Sequence, residues 1–205
     1  MNLRDYFFQL CSHCNQDKIF FENLWLEIEK KYSEKERYYH NLSHLENMFS
    51  ELELVKDKIA DFCNISFSVF YHDVIYDANS KLNEEKSAEF AKLRLKKLGV
   101  TTIDTEEILK QILATKAHEK SDDSDINYLL DADLSILGKD IESYIKYTKQ
   151  IRKEYSIYPD LLYKQGRRKV LQHFLELESI FKTEYFREKY EVQARENIEF
   201  ELNAL

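Results

Sequence analysis

Ser68-Val69-Phe70-Tyr71-His72-Asp73-Val74-Ile75-Tyr76-Asp77 is the stretch whose reading decides the fold. Together with Phe62, Ile65 and Phe67 ahead of it, its apolar residues point in every direction on a helical wheel. That is the pattern of a helix buried on all sides. A histidine and an aspartate sit side by side in its middle. Burying an ionised carboxylate is costly unless it is paired or binds a metal. A His-Asp dipeptide alone is common, and a buried histidine bonded to a backbone carbonyl needs no function, so the remaining chain has to decide.

The chain has 205 residues, enough for one domain with a real core. Three glycines and one proline, set among abundant Glu, Lys and Leu, read as nearly all helix. The expected fold class is all-α, one helical bundle over residues 1–205, its core at about 15–180 with the C-terminal helices packed on it. The net charge of −8 argues against a nucleic-acid polymer as partner, which needs a basic surface, but allows a small nucleotide held by local cations. No run is long enough to span a bilayer and the N-terminus lacks a signal-peptide pattern, so no membrane partner and a cytoplasmic location are expected. Cys11, Cys14 and Cys63 fit a reducing compartment, and Cys11-Ser12-His13-Cys14 is half a zinc motif without a second pair.

Outward from the opening stretch, helices are expected at 3–10 and after a cap at Asn15 or Asp17. A polar break at 30–36 precedes Arg37-Tyr38-Tyr39-His40-Asn41-Leu42-Ser43-His44. His40 and His44, four apart, would share one helix face bordering the stripe of Leu42, Leu45, Met48, Phe49 and Leu52. Beyond the polar loop 77–82, a helix from Asn83 ends at Leu98 with Gly99 in the C′ place. Asp104 caps the next, where Lys116 falls on the face of Ile108, Leu109, Ile112 and Leu113. After the acidic turn 121–125, Ile126, Leu130 and Leu137 line one side of a helix. Asp133 lies in that stripe and Asp131 off it, so Asp133 is expected inside and Asp131 in solvent. Helices over 139–155, 159–177 and 180–204 complete the chain.

Three helices thus present polar groups to the interior: His40 with His44, His72-Asp73, and Asp133. This mixed nitrogen and oxygen set suits Mn, Fe, Co, Ni or Zn better than calcium.

The order His, His-Asp, Asp on successive helices resembles the HD-domain superfamily of metal-dependent phosphohydrolases. The chain is most similar to its uncharacterised bacterial branch of predicted metal-dependent HD phosphohydrolases. The resemblance rests on Arg37–His44, Phe70–Asp77, Asn83–Ala88, Ala114–His118, Leu130–Gly138 and Tyr163–Arg168. It implies an HD-like bundle in which His40, His72, Asp73 and Asp133 hold one divalent transition metal. It implies hydrolysis of a phosphate ester, a nucleotide or another small phosphorylated metabolite, with Asp73 orienting or deprotonating the attacking water. Lys116 and Arg37 are candidates to hold phosphate oxygens, with Arg167 more distant. His118 is a candidate for catalysis or substrate contact, and His44 for substrate contact. The alternative is an HD module that binds metal and phosphate without turnover. The C-terminal helices also permit a homodimer.

Overall fold

The computed structural model describes residues 2–12, 18–99 and 103–205. They form ten α-helices and no strand. These are α1 (Leu3–Cys11), α2 (Lys18–Tyr32), α3 (Leu42–Glu53), α4 (Phe62–Tyr71), α5 (Asn83–Leu98), α6 (Thr105–Ala114), α7 (Ser124–Leu134), α8 (Ile141–Glu154), α9 (Asp160–Glu176) and α10 (Glu184–Ala204), with 3₁₀ turns at Lys56–Lys58 and Ser135–Gly138. The caps expected at Asn15 or Asp17, and the motif residues His13 and Cys14, lie outside the described residues. No helix among the described residues is long and apolar enough to cross a membrane.

The all-round apolar pattern puts α4 in the middle, with every residue from Asn64 to Tyr71 buried. Helices α3, α5, α6 and α7 pack around it. Phe70 meets Phe7 of α1 and Trp25 of α2, with ring centroids 5.2 and 6.3 Å away. Each fully buried phenylalanine here contributes about 2–3 kcal/mol. Ser66, Ser68 and Asn64 of α4 can be buried because each finds a partner, whereas the buried Tyr71 hydroxyl has none among the described residues. Ser66 Oγ donates to Phe62 O at 2.6 Å, Ser68 Oγ donates to Gln111 Oε1 at 2.6 Å, and Asn64 Oδ1 accepts from the Asp104 backbone N–H at 3.1 Å. Asp61 caps the N-terminus by accepting from the Asn64 N–H. His72 is the C-cap, so the helix ends where the chemistry starts.

The other boundaries follow local chemistry. Asp104 accepts from the Glu107 N–H, and Gly99 closes α5 with φ +63°. Asp140 accepts from the Ser143 N–H, so α8 begins at Ile141. The last helix starts at Glu184, not 180, because residues 180–183 run into a cap at Thr183. Buried side chains from all ten helices belong to one connected core.

Asp131 corrects the sequence reading: it is fully buried, not solvated. Its carboxylate accepts from the Lys182 and Thr183 N–H groups, both at 2.8 Å, and from Thr183 Oγ1 at 2.7 Å. The segment entering α10 covers the helix face that looked exposed on the wheel of α7 alone.

Candidate metal and phosphate site

His72 leaves the end of α4 with Nδ1 3.0 Å from Val69 O. That hydrogen bond places the proton on Nδ1 and turns Nε2 toward the interior. His44 in the first turn of α3 brings its Nε2 to 3.3 Å from His72 Nε2. From α7, Asp133 Oδ1 stands 3.1 Å from His44 Nε2 and 3.9 Å from His72 Nε2. These three ligand atoms lie within 4.8 Å of one another. Asp73 Oδ2 is 3.2 Å from His72 Nε2, and His40 Nε2 is 4.0 Å from Asp73 Oδ2. His118 Nε2 lies 2.9 Å from Asp133 Oδ2.

Two placements differ from the sequence reading. His40 and His44 do not share a helix face, because Asn41 is the N-cap and α3 begins only at Leu42. They meet all the same, with ring centroids 5.8 Å apart, because the loop before the cap folds over the first turn. His44, read as a substrate contact, sits at the base of the cluster beside His72. His40, read as a ligand, stands next to Asp73 at its rim.

Glu154, at the end of α8, escaped the sequence reading. Its Oε1 accepts from the backbone N–H groups of Tyr39 and His40 at 2.7 and 2.9 Å, and its Oε2 stands 2.6 Å from His40 Nδ1. Tyr76 also donates to Oε2 at 3.0 Å. This holds the His40 proton on Nδ1 and leaves Nε2 as the outward lone pair, the usual support for a ligating imidazole. The available signal was a glutamate three residues beyond Ile151 on the stripe of Tyr144, Tyr147 and Ile151.

The charges within the cluster balance. Burial opposes ionisation of both aspartates, but His72 and His40 hold Asp73 below the ordinary carboxylate range, and His118, His44 and His72 do the same for Asp133. Burial also opposes a charge on His72, yet Asp73 and Asp133 push it up to about 9. His44 shifts downward, mainly through burial. A divalent transition metal would displace the proton from His72 Nε2 and take imidazole Nε2 atoms beside ionised carboxylates as its donors.

The cluster forms the floor of a cleft of about 880 Å³. His40, Asp73, His118 and Asp133 face the cleft, as do Lys116 and Arg167. His118 is the only described non-glycine residue with positive φ, at 51°. Its N–H donates to Ala114 O at 3.2 Å, which closes the end of α6 and aims the ring at Asp133.

No protein-family model, curated protein or solved structure matches this chain.

The cations expected at phosphate divide into three cases. Lys116 lies past the end of α6, faces the cleft and is paired with Glu85 across its mouth. Arg37 is not in the cleft. Its buried guanidinium donates to the carbonyls of His40, Asp73 and Val74 at 3.2, 2.6 and 3.0 Å, holding the two ligand-bearing loops together. Arg167 reaches the cleft, but its Nε and Nη2 donate to the two oxygens of Glu201 at 2.8 and 2.9 Å.

Proposed function

We propose that this chain is a metal-dependent phosphohydrolase of HD type, acting on a phosphate ester of a nucleotide or another small metabolite. One observation carries the reading: four imidazoles and two carboxylates from four separate parts of the chain converge in one cluster, and His40, Asp73, His118 and Asp133 of it line a cleft. His44, His72 and Asp133 would hold a divalent cation, with Asp73 and His40 beside them. A bound cation would polarise a phosphoryl oxygen and lower the pKa of a coordinated water.

The chain's own residues supply the rest. Asp73 faces the cleft beside two imidazoles and orients the attacking water while accepting its proton at Oδ2. Lys116 leaves Glu85 for a phosphate oxygen. That exchange is easy, because an exposed ion pair is worth only about 0–1 kcal/mol. His118 stands at the cleft surface with Nε2 against Asp133 and would donate its own proton to the leaving oxygen, regaining one from solvent as the proton taken by Asp73 passes to solvent. Arg37 and Glu154 hold the loops and ring orientation that keep this geometry.

The test is elemental analysis of protein prepared without chelator, wild type beside His72→Ala and Asp133→Ala, followed by a phosphatase panel. About one transition metal per chain is expected, lost in both variants while their circular dichroism stays helical. Metal-free wild type after incubation with Mn²⁺, Ni²⁺ or Fe²⁺, together with no turnover of any phosphate ester, would sink the reading. A second reading, binding without turnover, draws on the engagement of Arg37 and Arg167, which leaves Lys116 to neutralise a phosphoryl group. Saturable phosphate binding without product would favour it.

A further inference from the structure

A phosphoryl group fills only a small part of the cleft above the cluster. Its volume of about 880 Å³ falls in the range of roughly 300–1,000 Å³ that encloses whole organic ligands. The composition of the remaining wall therefore indicates what else the ligand carries.

That wall is apolar, with aromatic rings set among the aliphatic Leu134, Ile136, Leu137, Leu162 and Val170. Tyr147 and Tyr155 come from the α8 side, Tyr158 from the following turn, and Tyr163 and Phe174 from α9. The ring contacts begin at the imidazoles: Tyr39 lies 4.9 Å from His44 and 4.7 Å from Tyr147, centroid to centroid. Farther along, Tyr155 lies 6.2 Å from both Tyr158 and Tyr163. Arg167 and Arg152 stand over the Tyr147 and Tyr163 rings, 5.4 and 4.7 Å from their centroids, so the partly buried Tyr155 and Phe174 are left for a ligand to pack against.

The charges of the lining argue against a highly anionic ligand. Lys116, Arg167 and Lys169 face four carboxylates there, and Arg167 is neutralised by Glu201. A polyphosphate tail would find no surplus of positive charge along this wall. One phosphoryl group at the floor and an uncharged ring beside Tyr155 and Phe174 match what is present.

We infer that the wall at Tyr155 and Phe174 is a binding site for an uncharged aromatic ring, so that the ligand is an aryl-bearing phosphate monoester. This rests on the phosphohydrolase reading for the phosphoryl end and on the wall alone for the ring.

Calorimetry with Mn²⁺-loaded full-length protein tests it, using methylphosphonate, hexylphosphonate, 2-naphthylmethylphosphonate and the uncharged 2-naphthylmethanol. The naphthyl phosphonate should bind about tenfold or more tighter than either of the other phosphonates. Tyr155→Leu, which keeps apolar bulk and removes the ring, should shrink that preference about threefold or more, and Tyr155→Phe should retain it. Equal binding of all three phosphonates, a hexyl preference equal to the naphthyl one, or no binding of any naphthyl probe overturns the inference. Asp133→Asn separates the two readings. If naphthylmethanol still binds to this variant and methylphosphonate binds it as it does wild type, the ring site stands and the phosphoryl end fails.

Discussion

Replacing Glu154 with glutamine changes one atom and tests the support of the site. In the wild type, a carboxylate buried at the end of α8 accepts four hydrogen bonds, two at each oxygen. Burial pushes its pKa up, but His40 and the two backbone donors outweigh this and hold it below the ordinary range, so it is ionised at neutral pH. Glutamine keeps the volume and one acceptor oxygen, which can still serve the Tyr39 and His40 N–H groups. Its NH₂ then meets His40 Nδ1 and Tyr76 Oη, two groups that had been donating. Hydrogen bonds to a charged group contribute roughly 1.5–3 kcal/mol each and neutral ones about 0.5–1.5, so exchanging two charged for two neutral ones predicts a destabilisation of about 2–3 kcal/mol. To avoid the clash of donors, His40 must move its proton to Nε2, which removes the lone pair facing Asp73. Loss of such a supporting partner lowers metal affinity roughly 10–100-fold. Urea unfolding of the metal-free protein measures the first effect and Mn²⁺ titration calorimetry the second. A stability within about 0.5 kcal/mol of wild type, with unchanged Mn²⁺ affinity, would refute the reasoning about the His40 tautomer.

Three further outcomes follow from the packing. Asp131→Ala strands the Lys182 and Thr183 N–H groups in the interior and should cost about 3–5 kcal/mol by urea denaturation, whereas a solvated Asp131 would cost under about 0.5. Gly138→Ala should destabilise by about 1–3 kcal/mol or more, read as a lower unfolding midpoint, because the new Cβ would lie 2.5 Å from Tyr190 Cβ and 2.7 Å from its carbonyl oxygen on α10. Glu51 is buried among Lys139, Tyr190 and Lys189. Burial raises its pKa, but those donors together bring it below its ordinary value of 4.5. Its stabilisation is therefore present above pH 4.5 and lost as pH falls through the depressed value. The stability of Glu51→Gln should depend less on pH in that acid window, and parallel wild-type and variant curves there would contradict the assignment.

What the sequence determined by itself is the local part of the fold. The all-helical class, the buried α4 and the caps at Asp104 and Gly99 depend on residues within one or two turns of each other, and a 3.6-residue period records them. The sequence pattern also put Asp133 on an apolar stripe, but Lys116, read the same way, lies exposed beyond the end of α6, and His72 and Asp73 follow the last turn of α4. Tertiary structure alone decided the rest. Asp131 is buried because a segment 51 residues away covers it, and Glu154 holds His40 across 114 residues. Arg37 is turned away from the cleft by carbonyls 36 and 37 residues distant, and Arg167 is claimed by Glu201, 34 residues on. Helical periodicity says which side of a helix a residue occupies. Whether a buried charge meets a partner or a ligand there depends on which remote segment packs against that side, and a single helix carries no record of it.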